Sequence, residues 1–288
     1  MIYPELPFMP TDLDGKVVVI TGGGGTLCAE LGGALARCGA KVALLDLDLK
    51  AAETAAANIC GENCDVIGLF ADVLDEKTLL AAAERVKNEF GPCDLLINGV
   101  GGNHPRGTTT HDFLEKADLG DPEITTFFDL DTGGIDYVFK LNFLGVLMPT
   151  QIFARQMMGR EGCSVINISS MNATRPYTRI PAYSAAKAAV SNLTQWLAVH
   201  FSRTGIRVNA LAPGFLLTSQ NFNLMIDQTS GHTTERAARI LTQTPMQRFG
   251  EPKELVGPLL WLASAAASGY VNGAVIPVDG GFQAYAGV

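Results

Sequence analysis

The chain has 288 residues, 47% of them hydrophobic and 17% charged, which is enough for a sizeable core within a single α/β domain covering residues 1–288. Its formal net charge is -8, and lysines and arginines are scattered along the sequence, so nucleic acid is not an expected partner. The first residues lack the basic start and the apolar stretch of a secretory signal. We therefore expect a cytoplasmic protein whose cysteines are reduced thiols.

Short apolar runs alternate with segments of helical spacing through the N-terminal third of the chain. Lys16–Thr21 is typical of a buried parallel strand, and the helical segment after it begins near Ala29. The rhythm repeats, with further strands predicted at Val42–Asp46, Asp65–Val73 and Asp94–Val100. This β-α-β-α-β order predicts a Rossmann fold, that is, an α/β domain with a doubly wound, mostly parallel sheet of about seven strands flanked by helices.

A long polar stretch with several glycines follows Asn103 and extends to a helix that includes Leu141–Thr150. A loop of that length is more often functional than idle. Beyond it, apolar runs predict strands at Ser164–Ser169, Arg207–Gly214 and Ala274–Val278.

From Leu255 to Val278 the sequence carries no formal charge, which is long enough to raise the question of a membrane span. Prolines and glycines interrupt this run, among them Pro258, Gly269 and Pro277. We interpret it as an apolar helix, a turn and a buried strand, and predict no membrane association.

The segment TGGGGTLC, Thr21–Cys28, joins the first predicted strand to its helix. Small residues there let the backbone approach a pyrophosphate, and the helix N-terminus supplies N–H donors and partial positive charge. Asp46 ends the second predicted strand, where a carboxylate can accept hydrogen bonds from the adenosine ribose and repel a 2′-phosphate. This favours NAD over NADP. A tight turn without ligand and a helix-capping aspartate are the alternatives.

Tyr183 and Lys187 stand four residues apart at the start of a predicted helix, which places both on one face. Ser170 follows the predicted strand Ser164–Ser169, and ligand sites of open α/β sheets lie at the carboxyl ends of strands. A free tyrosine has a pKa of about 10, so a nearby ammonium group is needed to make its phenolate accessible near neutral pH. The three residues therefore suit proton transfer.

In this order, TGGGGTLC, the acidic end of the second strand, INGVGG, Asn142, Ser170, YSAAK and NALAPGFLLT resemble the motif set of the short-chain dehydrogenases/reductases. The resemblance extends from about residue 15 to residue 281 and implies an oxidoreductase that moves a hydride between nicotinamide and a secondary alcohol or ketone. It implies that Tyr183 is the general acid/base and that Ser170 orients the carbonyl oxygen. It also implies that Lys187 tunes the tyrosine and bonds the nicotinamide ribose, and that Asn142 holds a water linking Lys187 to solvent.

The same resemblance implies a set of cofactor contacts. These are Gly22, Gly24, Gly25, Thr26, Leu27, Asp46, Asp72, Val73, Asn98, Gly99, Tyr183, Lys187, Pro213, Gly214 and Thr218. The family usually has glycine where Thr26 and Cys28 stand here, so the phosphate turn is expected to differ in shape. We interpret Cys28 as a small packing residue; a redox thiol is the alternative.

Substrate-binding residues are predicted in the loops that border the nicotinamide: His104, Arg106, Asn172, Arg175 and Arg179. Guanidinium and polar groups suit a carboxylated polar substrate better than a steroid or an acyl chain. For each arginine, a surface ion pair is the alternative. GGNHP and the sequence around YSAAK resemble the branch of the family that contains D-mannonate oxidoreductases, or fructuronate reductases. The histidines show no ligand spacing with acidic partners, so no metal is predicted.

Two other functions are weighed against this hypothesis. The first is another keto-sugar-acid or polyol dehydrogenase, such as a gluconate 5-dehydrogenase. The second is an NAD-sensing Rossmann binding protein without turnover, which the complete set of Asn142, Ser170, Tyr183 and Lys187 argues against. The final apolar helix and strand and the tail DGGFQAYAGV resemble the face through which family members form tetramers, so a homotetramer is expected by analogy.

Overall fold

Strands of the computed structural model, which describes residues 10–60, 65–218, 221–227 and 231–287, form one seven-stranded sheet. The strands are β1 (Val17–Thr21), β2 (Lys41–Asp46), β3 (Val66–Phe70), β4 (Leu95–Asn98), β5 (Cys163–Ile168), β6 (Ile206–Pro213) and β7 (Val275–Val278). Their order is β3-β2-β1-β4-β5-β6-β7, and every neighbouring pair is parallel. The predicted Rossmann fold is therefore confirmed.

Helices connect the strands and cover both faces of the sheet. They are α1 (Thr26–Arg37), α2 (Leu49–Ile59), α3 (Glu76–Glu89), α4 (Thr132–Phe139), α5 (Gly145–Met157), α6 (Pro181–His200), α7 (Phe222–Met225), α8 (Glu235–Gln243), α9 (Val256–Ala263) and α10 (Ala265–Ser268). A π-helical turn, Lys140–Leu144, joins α4 to α5.

The alternation of side chains along β1 divides the core into two layers. Val18 and Ile20 pack in the layer that contains buried residues of α1 and α9. Val17 and Val19 point the other way, into the layer of α3, α5 and α6 that contains Phe153. Because β1 is buried on both faces, it reads as a continuous apolar run instead of an alternating one, which is how the sequence revealed it.

The chain reverses direction across the sheet between β1 and β4. From β1 it proceeds to β2 and β3 on one side, and it then returns to place β4 against the other side of β1. Thr21 and Asn98, at the carboxyl ends of these two strands, stand opposite each other. In open α/β sheets, ligands bind in the crevice that such a reversal creates.

The stretch between β4 and α4 folds into three short 3₁₀ turns, Pro105–Gly107, Lys116–Asp118 and Phe127–Asp129. The carboxylate of Asp112 accepts hydrogen bonds from Thr178, from Arg179 and, at 3.0 Å, from Arg239 of α8. One acidic side chain of this stretch therefore joins the segment before α6 to α8.

The uncharged run near the C-terminus contains the predicted strand, but two short helices stand where the sequence predicted one. It forms α9, α10 and β7, and Ser264 between the two helices caps α10 by accepting a hydrogen bond from the backbone N–H of Ala267. Within the described ranges, no helix is long and apolar enough to cross a membrane.

The cysteines correct one expectation from the sequence. Cys28, Cys38, Cys93 and Cys163 are free and buried. Cys60, at the end of α2, is disulfide-bonded, so the expectation that all cysteines are reduced is wrong for this residue. That expectation came from core size and from the absence of an export signal, and neither constrains the surroundings of an individual thiol.

Candidate active site

A cavity of about 300 Å³ opens at the carboxyl ends of β1, β2, β3 and β4. It is lined by Gly22, Gly25, Thr26, Leu27, Cys28, Asp46, Leu47, Ala71, Asp72, Val73, Gly99, Val100, Gly101 and Leu141. Most of the residues predicted to contact the adenosine and pyrophosphate of a dinucleotide are thus brought together in one cleft.

The glycines of the turn after β1 are dictated by close packing. Gly22 has a φ of +71°, in the left-handed region that favours glycine. A Cβ on Gly23 would lie 2.6 Å from the Cβ of Leu44, and a Cβ on Gly24 would lie 2.7 Å from that of Ala51. Gly25 is the N-cap of α1 and adds no side chain there, so the positive end of the helix faces the cleft unobstructed.

Cys28, at the start of α1, packs against the end of β4. A Cβ on Gly99 would lie 2.2 Å from the Cys28 Sγ, so the thiol packs directly against this strand end. Burial raises the pKa of Cys28 to about 12. The side chain is therefore a packing residue, because a reactive thiol requires a lowered pKa.

The carboxylate of Asp46 is fixed at the edge of the cleft by two backbone amides. The N–H of Gly24 donates to Oδ2 and the N–H of Asp48 donates to Oδ1, each at 3.0 Å. A carboxylate has about four lone-pair sites, so acceptor capacity remains for two ribose hydroxyls. The glycine turn, the helix end and this aspartate together fit a dinucleotide cofactor.

Asn98 is placed differently from the other predicted cofactor residues. Its Nδ2 donates to Thr150 Oγ1 at 2.9 Å and to Asn167 Oδ1 at 2.8 Å, and the side chain is fully buried. It therefore faces a polar network between β4, β5 and α5 and does not line the cleft. The adjacent Gly99 lines the cleft.

Tyr183 and Lys187 lie on the first turns of α6, with Lys187 Nζ 5.8 Å from the centre of the Tyr183 ring. Lys187 Nζ donates to the Ile168 carbonyl at 2.8 Å, and burial lowers the pKa of Lys187 to about 8. Burial raises the pKa of Tyr183, and a hydrogen bond with the Ser170 side chain partly opposes that rise. The predicted hydroxyl pair and ammonium group are therefore assembled in one place.

Asn142 lies in the π-helical turn and is held by three hydrogen bonds. Its Nδ2 donates to the carbonyls of Val138 at 2.8 Å and Gly102 at 2.7 Å, and its Oδ1 accepts from the N–H of Gly102 at 3.2 Å. These bonds fasten the helix to the loop after β4. π-helical turns inside longer helices occur frequently at functional sites.

Of the predicted nicotinamide contacts, Pro213 is the last residue of β6, and Gly214 and Thr218 follow the strand. A Cβ on Gly214 would lie 2.5 Å from the Asp279 Cα, so only glycine fits beside the chain after β7. The N–H of Thr218 donates to Asn221 Oδ1 at 2.8 Å. None of the three lines the adenosine-side cavity, in keeping with a position farther along the crevice.

The three arginines predicted to bind substrate have partners within the chain. Arg106 pairs with Asp131 at 2.8 Å, and Arg179 pairs with Asp112. The guanidinium of Arg175 donates to two backbone carbonyls of the C-terminal tail. For Arg106 and Arg179, the surface ion pair considered as the alternative is what the structure shows.

The two other residues predicted to bind substrate differ from each other. His104 Nδ1 accepts a hydrogen bond from the Arg106 N–H at 3.2 Å, and its ring lies edge-on to Tyr137. Asn172 is 3% exposed, and its Oδ1 has no hydrogen-bond partner among the described residues. Asn172 also donates its N–H to Ser170 Oγ at 3.2 Å, which places it beside the hydroxyl pair. Across the described part of the chain, no cluster of three metal-ligating side chains occurs.

The family comparison agrees with this geometry. Residues 16–228 match the family profile described as short chain dehydrogenase. The chain belongs to the short-chain dehydrogenase family. An oxidoreductase of Haemophilus influenzae, named without a substrate, is 52% identical over 277 residues, which cover 96% of each chain. This short-chain dehydrogenase is therefore an oxidoreductase.

Two solved structures are similar to this short-chain dehydrogenase over nearly all of its length. One is a candidate D-mannonate oxidoreductase from Haemophilus with bound NAD; it is 51% identical, has a TM-score of 0.91 and covers 96% of this chain and 98% of its own. The other is a gluconate 5-dehydrogenase of Burkholderia cenocepacia with NADP and tartrate; it is 29% identical, has a TM-score of 0.77 and covers 94% and 96%. Both nicotinamide cofactors thus occur among its structural relatives.

The structure adds one residue that sequence reasoning missed in this short-chain dehydrogenase. A Cβ on Gly101 would lie 2.7 Å from Asn142 Oδ1 and 2.8 Å from Lys187 Nζ, so Gly101 lies between the two side chains. The motif INGVGG held the signal, since a small residue just after a strand end marks a close approach. Any side chain here would clash with both Asn142 and Lys187.

Proposed function

We propose that the protein is an NAD-dependent dehydrogenase that interconverts a secondary alcohol and a ketone, with D-mannonate and D-fructuronate as its substrate pair. The observation that carries the proposal is the Tyr183 side chain, hydrogen-bonded to Ser170 and lying beside buried Lys187. This arrangement can donate a proton to a carbonyl oxygen and recover it from an alcohol.

NAD, when bound, supplies or accepts the hydride at its nicotinamide ring. The residues of the chain handle the oxygen and its proton. Ser170 and Tyr183 both present hydroxyls, so a substrate oxygen placed between them accepts two hydrogen bonds. In reduction Tyr183 gives its proton to that oxygen as the carbon gains the hydride; in oxidation it takes the proton from the alcohol.

Lys187 makes this proton transfer possible at moderate pH. Burial raises the pKa of Tyr183, which by itself would hold the phenol protonated. A lysine ammonium close to the ring stabilises the phenolate and lowers that barrier. In this proposal Asn142, which is fixed to the Gly102 backbone and lies next to Gly101, holds a water between Lys187 and solvent.

The preference for NAD over NADP rests on Asp46. Its carboxylate is held at the cleft by the Gly24 and Asp48 amides, so it cannot rotate away without losing both hydrogen bonds. A 2′-phosphate beside this carboxylate would place two negative charges together in a partly buried position. The NAD-bound Haemophilus structure supports the same preference.

The sugar-acid assignment rests on the polar loops and on the Haemophilus relative. A gluconate 5-dehydrogenase-like activity is the second candidate, supported by the Burkholderia structure. By analogy with the family, the proposed enzyme is a cytoplasmic homotetramer in which each chain forms a single domain.

The test follows the absorbance of NADH and NADPH with purified protein and D-fructuronate, a keto-gluconate or a simple cyclic ketone. D-mannonate with NAD tests the reverse direction. Rapid NADH loss with D-fructuronate alone supports the whole proposal. Preference for a keto-gluconate or an uncharged ketone would contradict the proposed substrate pair. Preference for NADPH would contradict the proposed role of Asp46. Binding of NADH without turnover of any ketone would favour the binding-protein hypothesis.

A further inference from the structure

The substrate of the proposed function carries a carboxylate, yet the three arginines predicted to bind it are occupied. Arg106 and Arg179 form ion pairs with aspartates, and Arg175 is bound to the tail backbone. Recognition of a carboxylate at a partly desolvated site calls for a cation or for hydrogen-bond donors that have no other partner. The structure contains another group of side chains with these properties.

Tyr177 lies in the segment between Ser170 and Tyr183, with its ring stacked on Phe215 at 4.9 Å between centroids. Phe282 packs edge-on against the same ring at 5.7 Å. The hydroxyl oxygen of Tyr177 is shielded from solvent and has no hydrogen-bond partner among the described residues. Buried phenol hydroxyls usually have a partner, so this one is free to donate to a group outside the described residues.

Helix α8 packs next to Tyr177. Phe215, on which Tyr177 stacks, also packs against the small core cluster that contains Ala237 and Ile240 of α8. Asp112 accepts hydrogen bonds both from Arg239 of α8 and from Thr178, the residue after Tyr177. Two independent contacts thus fix the helix against this segment.

Arg236 precedes Ala237 on the same helix and is exposed. Within the described residues it forms none of the ion pairs that occupy Arg106, Arg179 and Arg239. Its charge reaches Tyr177: burial raises the pKa of Tyr177, the charges of Tyr183 and Asp279 raise it further, and Arg236 lowers it. Tyr177 therefore lies within electrostatic range of both the catalytic tyrosine and an unpaired guanidinium.

We propose that Tyr177 and Arg236 bind the carboxylate of the substrate, with the Tyr177 hydroxyl donating a hydrogen bond and Arg236 supplying the positive charge. The buried, unpartnered Oδ1 of Asn172 accepts a hydrogen bond from a hydroxyl closer to the reacting carbon. This inference rests on the proposed function and names the residues that give it specificity. It also transfers the carboxylate contact from Arg106, Arg175 and Arg179 to a different helix.

The test compares D-fructuronate with an uncharged ketohexose for three variants, Tyr177→Phe, Arg236→Gln and Arg239→Gln. Phenylalanine keeps the ring stack on Phe215 and removes only the hydroxyl. Hydrogen bonds to charged groups predict that kcat/KM for D-fructuronate falls about 10-fold in Tyr177→Phe and about 10- to 100-fold in Arg236→Gln. Activity toward the ketohexose stays within about 3-fold of the wild type in both, since neither group meets a carboxylate there.

Arg239→Gln is the matched control, because it removes a guanidinium of α8 that pairs with Asp112. A variant that only disturbs the helix lowers kcat/KM for both substrates by the same factor, so the preference for the acid is unchanged. If Tyr177→Phe and Arg236→Gln also retain that preference, Tyr177 and Arg236 do not bind the carboxylate. If the wild type itself has no preference for the acid over the ketohexose, the proposed function fails instead, so the two failures are distinguishable.

Discussion

Replacing Lys187 by methionine should stabilise the cofactor-free protein near neutral pH while removing its activity. Lys187 is 3% exposed, and burial lowers its pKa from 10.5 to about 8. A lowered lysine pKa means that the folded state binds the proton less well than the unfolded chain does. At pH 7 this difference corresponds to a cost of about 3 kcal/mol for keeping the charged lysine buried.

Methionine has a similar length and carries no charge, so the variant escapes that cost. However, the Ile168 carbonyl loses its 2.8 Å hydrogen bond, and this loss destabilises the variant by about 1–3 kcal/mol. The net gain at pH 7 is therefore about 1 kcal/mol, or about 2–4 °C in Tm for a chain of this size. The turnover is lost because the ammonium beside Tyr183 is gone.

The dependence on pH is the sharper measurement. Between pH 8 and 10.5 the unfolded chain binds more protons at this site, so wild-type stability rises with pH through that window. The free energy of unfolding in urea should be measured for the wild type and for Lys187→Met at pH 7 and pH 10. At pH 7 the variant should be the more stable protein. At pH 10 it should be the less stable one, because only the effect of the missing hydrogen bond remains. If the difference in stability is the same at both pH values, Lys187 is not a buried lysine with a lowered pKa, and the reasoning is refuted.

Three further predictions concern the cleft and the proton donor. Tyr183→Phe should lower kcat at least about 1000-fold while leaving the NADH Kd, measured by fluorescence, within about 2-fold; retained turnover would exclude Tyr183 as the acid/base. Asp46→Ser should weaken NADH binding about 10- to 100-fold and reduce the ratio of NADH to NADPH affinity, whereas an unchanged ratio would exclude the repulsion of a 2′-phosphate. Gly99→Ala, whose Cβ would lie 2.2 Å from the Cys28 Sγ, should cost about 2 kcal/mol or more in urea unfolding, and adding Cys28→Gly should recover part of it; no recovery would show that the Cys28 contact is not the cause.

The fold and the cofactor cleft were predictable because local sequence determines them. A strand buried on both faces gives a continuous apolar run, as in β1. A glycine turn between a strand and a helix, and an aspartate at the next strand end, require no knowledge of distant contacts. Tyr183 and Lys187 share a face because of helical spacing alone, and α6 begins only two residues before Tyr183.

The surroundings of Asn98 and Gly101 could not be obtained in this way. Asn98 follows the same strand-end rule as Gly99, yet its side chain turns to Thr150 and Asn167, which are 52 and 69 residues away in the chain. Gly101 is conspicuous only once Asn142 and Lys187 are brought to either side of it. Spacing along one element says nothing about side chains that arrive from other elements.

The arginines show why substrate recognition is harder to infer than chemistry. Asp112 pairs with Arg179, 67 residues away, and with Arg239, 127 residues away, so one carboxylate neutralises two guanidinium groups. In the sequence Arg179 counts as a candidate for an anionic substrate, and only the folded contacts remove it. A carboxylate ligand responds to the charge that remains uncompensated after such pairing. On that criterion Arg236, which forms no ion pair with the described residues and whose charge lowers the pKa of Tyr177, is a better candidate than Arg106 or Arg179.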